Sequence, residues 1–364
     1  MKVLILSCPT GGGHNTCARY VKEELEDNNI KCTFKDFYDI VNESAKELSS
    51  KLYLSSLGKN GGIFKNVYRL GELYSSTGLT SPVYMVNKLH KKKLYNYIIK
   101  NNYTHIISTH LFPALTLTAI NKEIKDDNSK LKFIFIATDY EPCPFMEETK
   151  PNYLIMAKGL EERFIEKGNN KEVLYNSGIP ISTRYINSAN NIKEKLNIKT
   201  PKTVLILLGS MGFGNIKETL MELLKIKNTT FIVVCGSNKK LFNDLKEIKN
   251  DNLIVLGYTQ NINDLIFTSD IVLSKPGGLS TTEIVTFRKP LIHIFPIPGI
   301  ETYNANFFEK MHMSLVAKTN EDIILKTKEL LENQNMQEEM KKACEKNITK
   351  YSAQKLVNLL KELN

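Results

Sequence analysis

Apolar residues along the chain fall into short unbroken runs, separated by longer stretches with a single apolar face. Lys2–Ser7 (KVLILS) is a run of strand length that stops at Cys8-Pro9-Thr10-Gly11-Gly12-Gly13-His14. Such a run, bounded by turn residues, reads as a strand buried on both faces, as in a parallel sheet. Over 15–28 the apolar residues Ala18, Val21 and Leu25 return at helical spacing, so a helix follows the glycine turn.

The same alternation continues. Strands are expected over 32–37, 105–108 (HIIS), 132–137 (KFIFIA), 153–156 and 172–176. Helical stretches are expected from Asp39 onward, over 63–73, over 83–101 and over 160–167. A polar run, 182–200, reads as a connection with a small helix, after which the pattern restarts. Residues 202–208 (KTVLILL) run into Gly209-Ser210-Met211-Gly212-Phe213-Gly214-Asn215 and a helix; strands follow over 231–235, 253–256, 270–274 and 291–295. From about 321 to the end the chain is lysine-rich and helical. At 364 residues the chain exceeds one typical core. The fold class is therefore α/β, with two units in tandem, each opened by a strand and a glycine loop.

The first glycine loop is not a familiar nucleotide motif: no G-x-G-x-x-G follows the first strand, and no G-K-[ST] follows its glycines. Ligand sites in open α/β sheets form outside the carboxyl ends of the strands. His14, His110 and Asp139 each fall just past such an end and can converge, with Gly12 and Gly13 letting a ligand approach the backbone. By residue type alone His14 also reads as structural, Asp139 as a cap or turn residue, and Cys143, between Pro142 and Pro144, as a packed thiol.

In the second half the chemistry gathers in 274–308. A strand runs into Lys275-Pro276-Gly277-Gly278, and a helix starting near Ser280, Thr281 and Thr282 carries Glu283 in its first turn. Two glycines ahead of a helix start let backbone N–H groups approach an anion, which the helix dipole favours. Glu283 suits ribose hydroxyls. The next strand delivers Pro298-Gly299-Ile300-Glu301-Thr302-Tyr303-Asn304, polar enough for sugar hydroxyls. The stretch reads as a nucleotide-sugar site, diphosphate and ribose at the first loop and sugar at the second.

A formal charge of +10 calls for an acidic partner: nucleic acid, an anionic membrane surface or phosphorylated substrates. Over 83–101, Lys88, Lys91, Lys92, Lys93 and Lys100 alternate with aromatic and aliphatic residues. That composition suits an amphipathic helix on anionic lipid, and equally a solvated basic face on a core helix. Nothing has the composition of a nucleic-acid motif. No apolar run reaches the roughly 18–20 residues that span a bilayer, and the first residues lack a secretory pattern. Six scattered cysteines without a CxxC pair read as reduced cytosolic thiols, with no disulfide frame and no metal site.

Taken in order, Gly11-Gly12-Gly13-His14, Gly209-Ser210, Lys275-Pro276-Gly277-Gly278 with Glu283, and Pro298-Gly299 with Glu301 and Asn304 resemble the landmarks of a known family. It is that of monogalactosyldiacylglycerol synthases and bacterial processive diacylglycerol glucosyltransferases, glycosyltransferase family 28. The resemblance covers nearly the whole chain and implies a GT-B fold, two Rossmann-like domains facing across a cleft. The domains would be 1–178, on the acceptor and membrane side, and 179–345, binding UDP-sugar, with 346–364 returning to the first. It implies that Glu283 holds the ribose, Gly209, Ser210, Gly277, Gly278, Ser280 and Thr281 the diphosphate, the backbone at Tyr258 the uracil, and Glu301 with Asn304 the donor sugar. His14 and Asp139 would be the catalytic candidates, and no metal or cofactor is implied beyond the UDP-hexose substrate. The implied activity is inverting transfer of a hexose, glucose in the leading reading, to diacylglycerol. The implied place is cytoplasmic, peripheral on the inner membrane face. Two departures keep alternatives open. Ile300 stands where the family carries glutamine, which leaves the donor hexose open. Cys143 and Met146 stand in the loop where diacylglycerol enzymes carry His and Trp, which leaves a polyprenyl-linked or other lipid acceptor open. A UDP-sugar sensor without turnover is the non-enzymatic alternative.

Overall fold

The computed structural model describes residues 1–9, 12–42, 62–209 and 216–363. Gly11, Ser210 and the expected helical region beyond residue 42 lie outside the described residues. The chain divides into two compact units, Met1–Arg184 with Ile297–Ile300 and Thr349–Asn364, and Tyr185–Pro296 with Glu301–Ile348.

In chain order the first unit contains β1 (Lys2–Ser7), α1 (Gly12–Asp27), β2 (Lys31–Asp36), α2 (Gly62–Ser75), α3 (Pro82–Lys88), α4 (Lys91–Lys100), β3 (His105–Ser108), α5 (Leu111–Asn121), β4 (Lys132–Ile136), β5 (Tyr153–Ile155), α6 (Glu161–Glu166) and β6 (Leu174–Tyr175). The strands form one parallel sheet in the order β2-β1-β3-β4-β5-β6, with Val3 paired to Cys32 on one side and to His105 on the other. Every β1 residue after Lys2 is buried, as expected of a strand covered on both faces. The chain leaves β1 toward β2 and returns on its other side as β3. The gap between the carboxyl ends of β1 and β3 is therefore the topological switch point of this sheet, the place where α/β folds take ligands.

The stretch 83–101, expected as one helix, is two. Asn87 keeps its carbonyl for the His90 N–H (3.1 Å) and the Thr116 hydroxyl (3.1 Å), so it does not accept from residue 91 and the helix ends. The division between units falls after Arg184. The connecting residues are tied into the first unit: the Ile181 N–H donates to Ser352 Oγ (3.1 Å) and the Thr183 N–H to Glu24 Oε2 (2.7 Å). Ser352 opens the C-terminal helix Ser352–Glu362, which belongs to the same unit.

The second unit contains β7 (Lys202–Leu207), β8 (Thr229–Val234), β9 (Leu253–Leu256), β10 (Ile271–Ser274), α7 (Gly278–Thr286), β11 (Leu291–His293), α8 (Ile300–Lys310) and β12 (Leu315–Val316). Its parallel sheet has the order β12-β11-β10-β7-β8-β9, and its switch point lies between β7 and β10. Val204, Ile206, Phe231, Val233, Ile271 and Leu273 supply the sheet side of one fully buried core. The two-residue β12 is too short for any periodicity to announce it. No helix among the described residues is long and apolar enough to cross a membrane.

Candidate active site

At the switch point of the first sheet, β1 delivers His14 in the first turn of α1 and β3 delivers His110 as the N-cap of α5. The two imidazoles meet edge to face with ring centroids 4.8 Å apart. His14 Nδ1 lies 2.9 Å from the carbonyl oxygen of Thr109 and 2.9 Å from Thr138 Oγ1. A carbonyl only accepts, so Nδ1 carries the proton, shared between the two oxygens, and the lone pair is on Nε2. His110 is the opposite tautomer: its Nδ1 accepts the Phe112 N–H (3.2 Å), leaving the proton on Nε2. Burial lowers the pKa of His14, an effect that the charge of Asp139 and the bond to Thr109 partly offset. Burial, and then His14 itself, hold His110 well below the ordinary imidazole value. Both rings are therefore neutral near pH 7, and His14 presents a basic nitrogen.

The loop after β4 carries Thr138 and Asp139 to this place and then packs under α2. Gly71 of α2 is needed there, since a Cβ would meet Pro144 Cβ and Cγ at 3.3 Å. The rings of Tyr74 and Phe145 meet edge to face at 6.2 Å, and Ser75 Oγ donates to Glu147. Cys143, raised to about 12 by burial and then by Asp139, is no thiolate nucleophile, in line with a packed thiol. Tyr68 of α2, pushed up by burial and then by Cys143, Glu72, Asp139 and Glu141, stands in the same electrostatic neighbourhood. Sequence reasoning missed it, because its place on an amphipathic helix carries no signal of what it faces.

In the second sheet, Gly209 follows β7 at φ 75°, a left-handed position suited to glycine, and a Cβ there would meet nothing within 4 Å. Gly277 is equally open and caps α7, whose first turn holds Gly278 and a half-buried Ser280. Open backbone at Gly209 and Gly277 and a helix start form the arrangement that takes an anion. Lys275, 7% exposed, precedes the turn; burial lowers its pKa and the charge of Glu301, in the first turn of α8, opposes this. Lys275 belongs to the stretch read from the sequence as the nucleotide site. Glu283 is in the second turn of α7 and buried, 8% exposed.

The Thr281 hydroxyl lies 3.3 Å from His293 Nε2, and its N–H donates to the Gly277 carbonyl (2.9 Å). Asn304 is fully buried, and its Nδ2 donates to the Pro276 carbonyl (3.0 Å), which braces the turn. Tyr258 is 69% exposed after β9, the edge strand, so its place at the base rests on the resemblance alone.

The basic stretch is partly spent inside the fold. Lys91 pairs with Glu123, and Lys93 Nζ donates to the Val41 carbonyl (2.8 Å); Lys88 is half-buried and Lys92 exposed. Within the stretch Met85, Val86, Leu89, Tyr95 and Ile99 face outward, and so do Val67, Leu70 and Leu73 of α2 and the nearby Leu79. On α2 the exposed basic residues Lys65 and Arg69 flank that row.

A model of the monogalactosyldiacylglycerol (MGDG) synthase family matches residues 14–181, and one of the glycosyltransferase family 28 C-terminal domain matches residues 203–357. A processive diacylglycerol beta-glucosyltransferase of Bacillus pumilus (strain SAFR-032) is 27% identical, covering 98% of this chain and 93% of that protein. One of Bacillus subtilis (strain 168) is 28% identical, covering 94% and 90%. Among solved structures, MurG of Acinetobacter baumannii superposes with a TM-score of 0.64 at 12% identity over 99% of both chains. The spinosyn rhamnosyltransferase SpnG does so with 0.69 at 10% identity, over 99% of this chain and 100% of its own. A UDP-GlcNAc 2-epimerase of Neisseria meningitidis also superposes, with 0.62 at 14% identity over both full chains, so these likenesses speak for the fold and not for the chemistry. The fold is GT-B, and with both family models matched in order the chain belongs to the family of monogalactosyldiacylglycerol synthases and processive diacylglycerol glucosyltransferases, glycosyltransferase family 28.

Proposed function

We propose that the protein transfers a hexose, glucose, from UDP-glucose to the free hydroxyl of diacylglycerol. The observation that carries this reading is the fixed tautomer of His14, which leaves a bare Nε2 at the switch point of the first sheet. In the reaction Nε2 takes the proton of the acceptor hydroxyl as the oxygen bonds to the anomeric carbon. The bond from that carbon to UDP breaks, and Asp139 stabilises the imidazolium formed. The departing diphosphate is met by the α7 start and by Lys275. Displacement by a single nucleophile inverts the anomeric carbon, which agrees with the word beta in the names of the relatives.

The acceptor is a membrane lipid, and the apolar row of α2 with the outward side chains of α3 is where the enzyme rests on the anionic membrane face. Exposed leucines flanked by basic residues suit an interfacial helix. The test is mass spectrometry of the lipids formed when the purified chain is given UDP-glucose or UDP-galactose and vesicles of diacylglycerol in anionic phospholipid. A hexosyl-diacylglycerol is expected. Product only with a polyprenyl-linked acceptor would move the acceptor, and UDP-sugar binding without product on any lipid would make the protein a sensor.

A further inference from the structure

The loop that presents Thr138 and Asp139 to His14 has an anchor of its own. Glu141, two residues after Asp139, is 5% exposed. Arg163 of α6 grips its carboxylate as a fork: Nε donates to Oε1 at 2.9 Å and to Oε2 at 3.0 Å, and Nη2 donates to Oε1 at 2.6 Å. The remaining nitrogen, Nη1, donates to Glu166 Oε2 at 3.2 Å. A planar bidentate pair fixes orientation as well as position, which an ammonium does not. A buried carboxylate deprived of its cation must become protonated or leave for solvent, and either outcome moves the backbone that holds it. Beyond Glu141 the loop turns at Phe145, which has a left-handed φ of 72°. Gly71 of α2 closes on the Pro144 corner. The short segment carrying Asp139 is thus held between β4 and the fork.

We propose that Arg163, acting through Glu141, is the positioning residue that keeps Asp139 beside His14. The proposal rests on the reading of His14 as the base. The titratable groups that face His14 are Asp139 from this loop and His110 from the start of α5; Asp139 in turn acts on Tyr68 of α2 and on Cys143. Asp139 raises the basicity of His14, so withdrawing it lowers the pKa of the base, and the acid limb of the rate profile moves to lower pH.

The experiment is steady-state transfer from UDP-glucose to diacylglycerol vesicles across about pH 5–9 by the full chain carrying R163M, R163K, E141Q, D139N or R163M with D139N. R163M is expected to lower kcat about 10- to 100-fold, the size of effect a small displacement of a reacting group produces. KM for UDP-glucose should stay within about twofold of wild type, because the donor is bound by other residues. Its acid limb should shift down as that of D139N does, and adding R163M to D139N should cost almost nothing more. R163K should fall between, lacking the fork. The proposal is overturned if R163M keeps the wild-type kcat and acid limb, or if it costs as much in the D139N background as alone. Should R163M melt below the assay temperature, E141Q decides, and a wild-type profile there overturns the proposal equally. A wild-type chain without transfer fails the base reading itself, a result distinct from any pattern among the variants.

Discussion

The carbonyl oxygen of Thr109 lies 2.9 Å from Nδ1 of His14, joining the ends of β3 and β1 through one proton. That contact decides which nitrogen of His14 is basic, and it belongs to the backbone, so no side-chain substitution at 109 removes it. Thr138 supplies the second acceptor for the same proton. Thr138→Val should keep the tautomer and lose only that shared bond, worth about 0.5–1.5 kcal/mol. A fall of about 2- to 10-fold in kcat is expected, measured with UDP-glucose and diacylglycerol vesicles.

Asn304 and Thr281 should behave as braces. Asn304→Ala leaves the buried Pro276 carbonyl without its amide donor, which should cost about 1–3 kcal/mol in urea unfolding. It should also weaken UDP binding by loosening the turn that opens α7. Thr281→Val should lower stability with UDP affinity nearly intact, whereas Ser280→Ala should do the reverse. Calorimetric titration with UDP beside urea melts separates the two patterns.

Membrane attachment should depend on α2. A leucine fully transferred out of water is worth about 1.5–3 kcal/mol, so Leu70→Ser with Leu73→Ser should bind anionic vesicles at least tenfold more weakly in a flotation assay. Binding should also weaken with added salt, because attraction of Lys and Arg to the surface is screened within about 8–10 Å. Lys91→Ala should have little effect on it, since Lys91 is paired with Glu123.

His293 should make the second unit sensitive to acid. It is buried between Thr281 and Ser314, and burial holds its pKa at about 3 against an ordinary 6.5. The unfolded chain binds the proton between those values. The contribution of His293 to stability is therefore complete above 6.5 and is lost as the pH falls from 6.5 toward 3. The urea midpoint of the wild type should drop between about pH 7.5 and 4.5 by more than that of His293→Gln. Equal drops would assign the acid sensitivity elsewhere.

Much of this was legible in the sequence, for a physical reason. Strands of a parallel sheet are buried on both faces, so Lys2–Ser7 and 132–137 stand out as apolar runs, and the strand-end rule then singles out His14, His110 and Asp139. Side-chain direction was not legible. Thr281 and Asn304 have the chemistry of ligand contacts, but their partners, His293 and Pro276, are set by helix packing that no local pattern encodes. At the break at Leu89–His90 the Asn87 carbonyl meets the Thr116 hydroxyl, which comes from another helix. Lys275 and Arg163 gain meaning only from burial and from Glu301 and Glu141, which tertiary structure brings to them.

The most direct measurement is the rate of hexosyl-diacylglycerol formation from UDP-glucose by wild type and His14→Gln, each shown to be folded and to bind UDP equally. Removing a general base at this position should lower kcat about 10²- to 10⁴-fold with KM for UDP-glucose little changed. A variant that keeps the wild-type kcat, or a wild-type chain that forms no glycolipid from UDP-glucose or UDP-galactose, would contradict transfer by the His14 base.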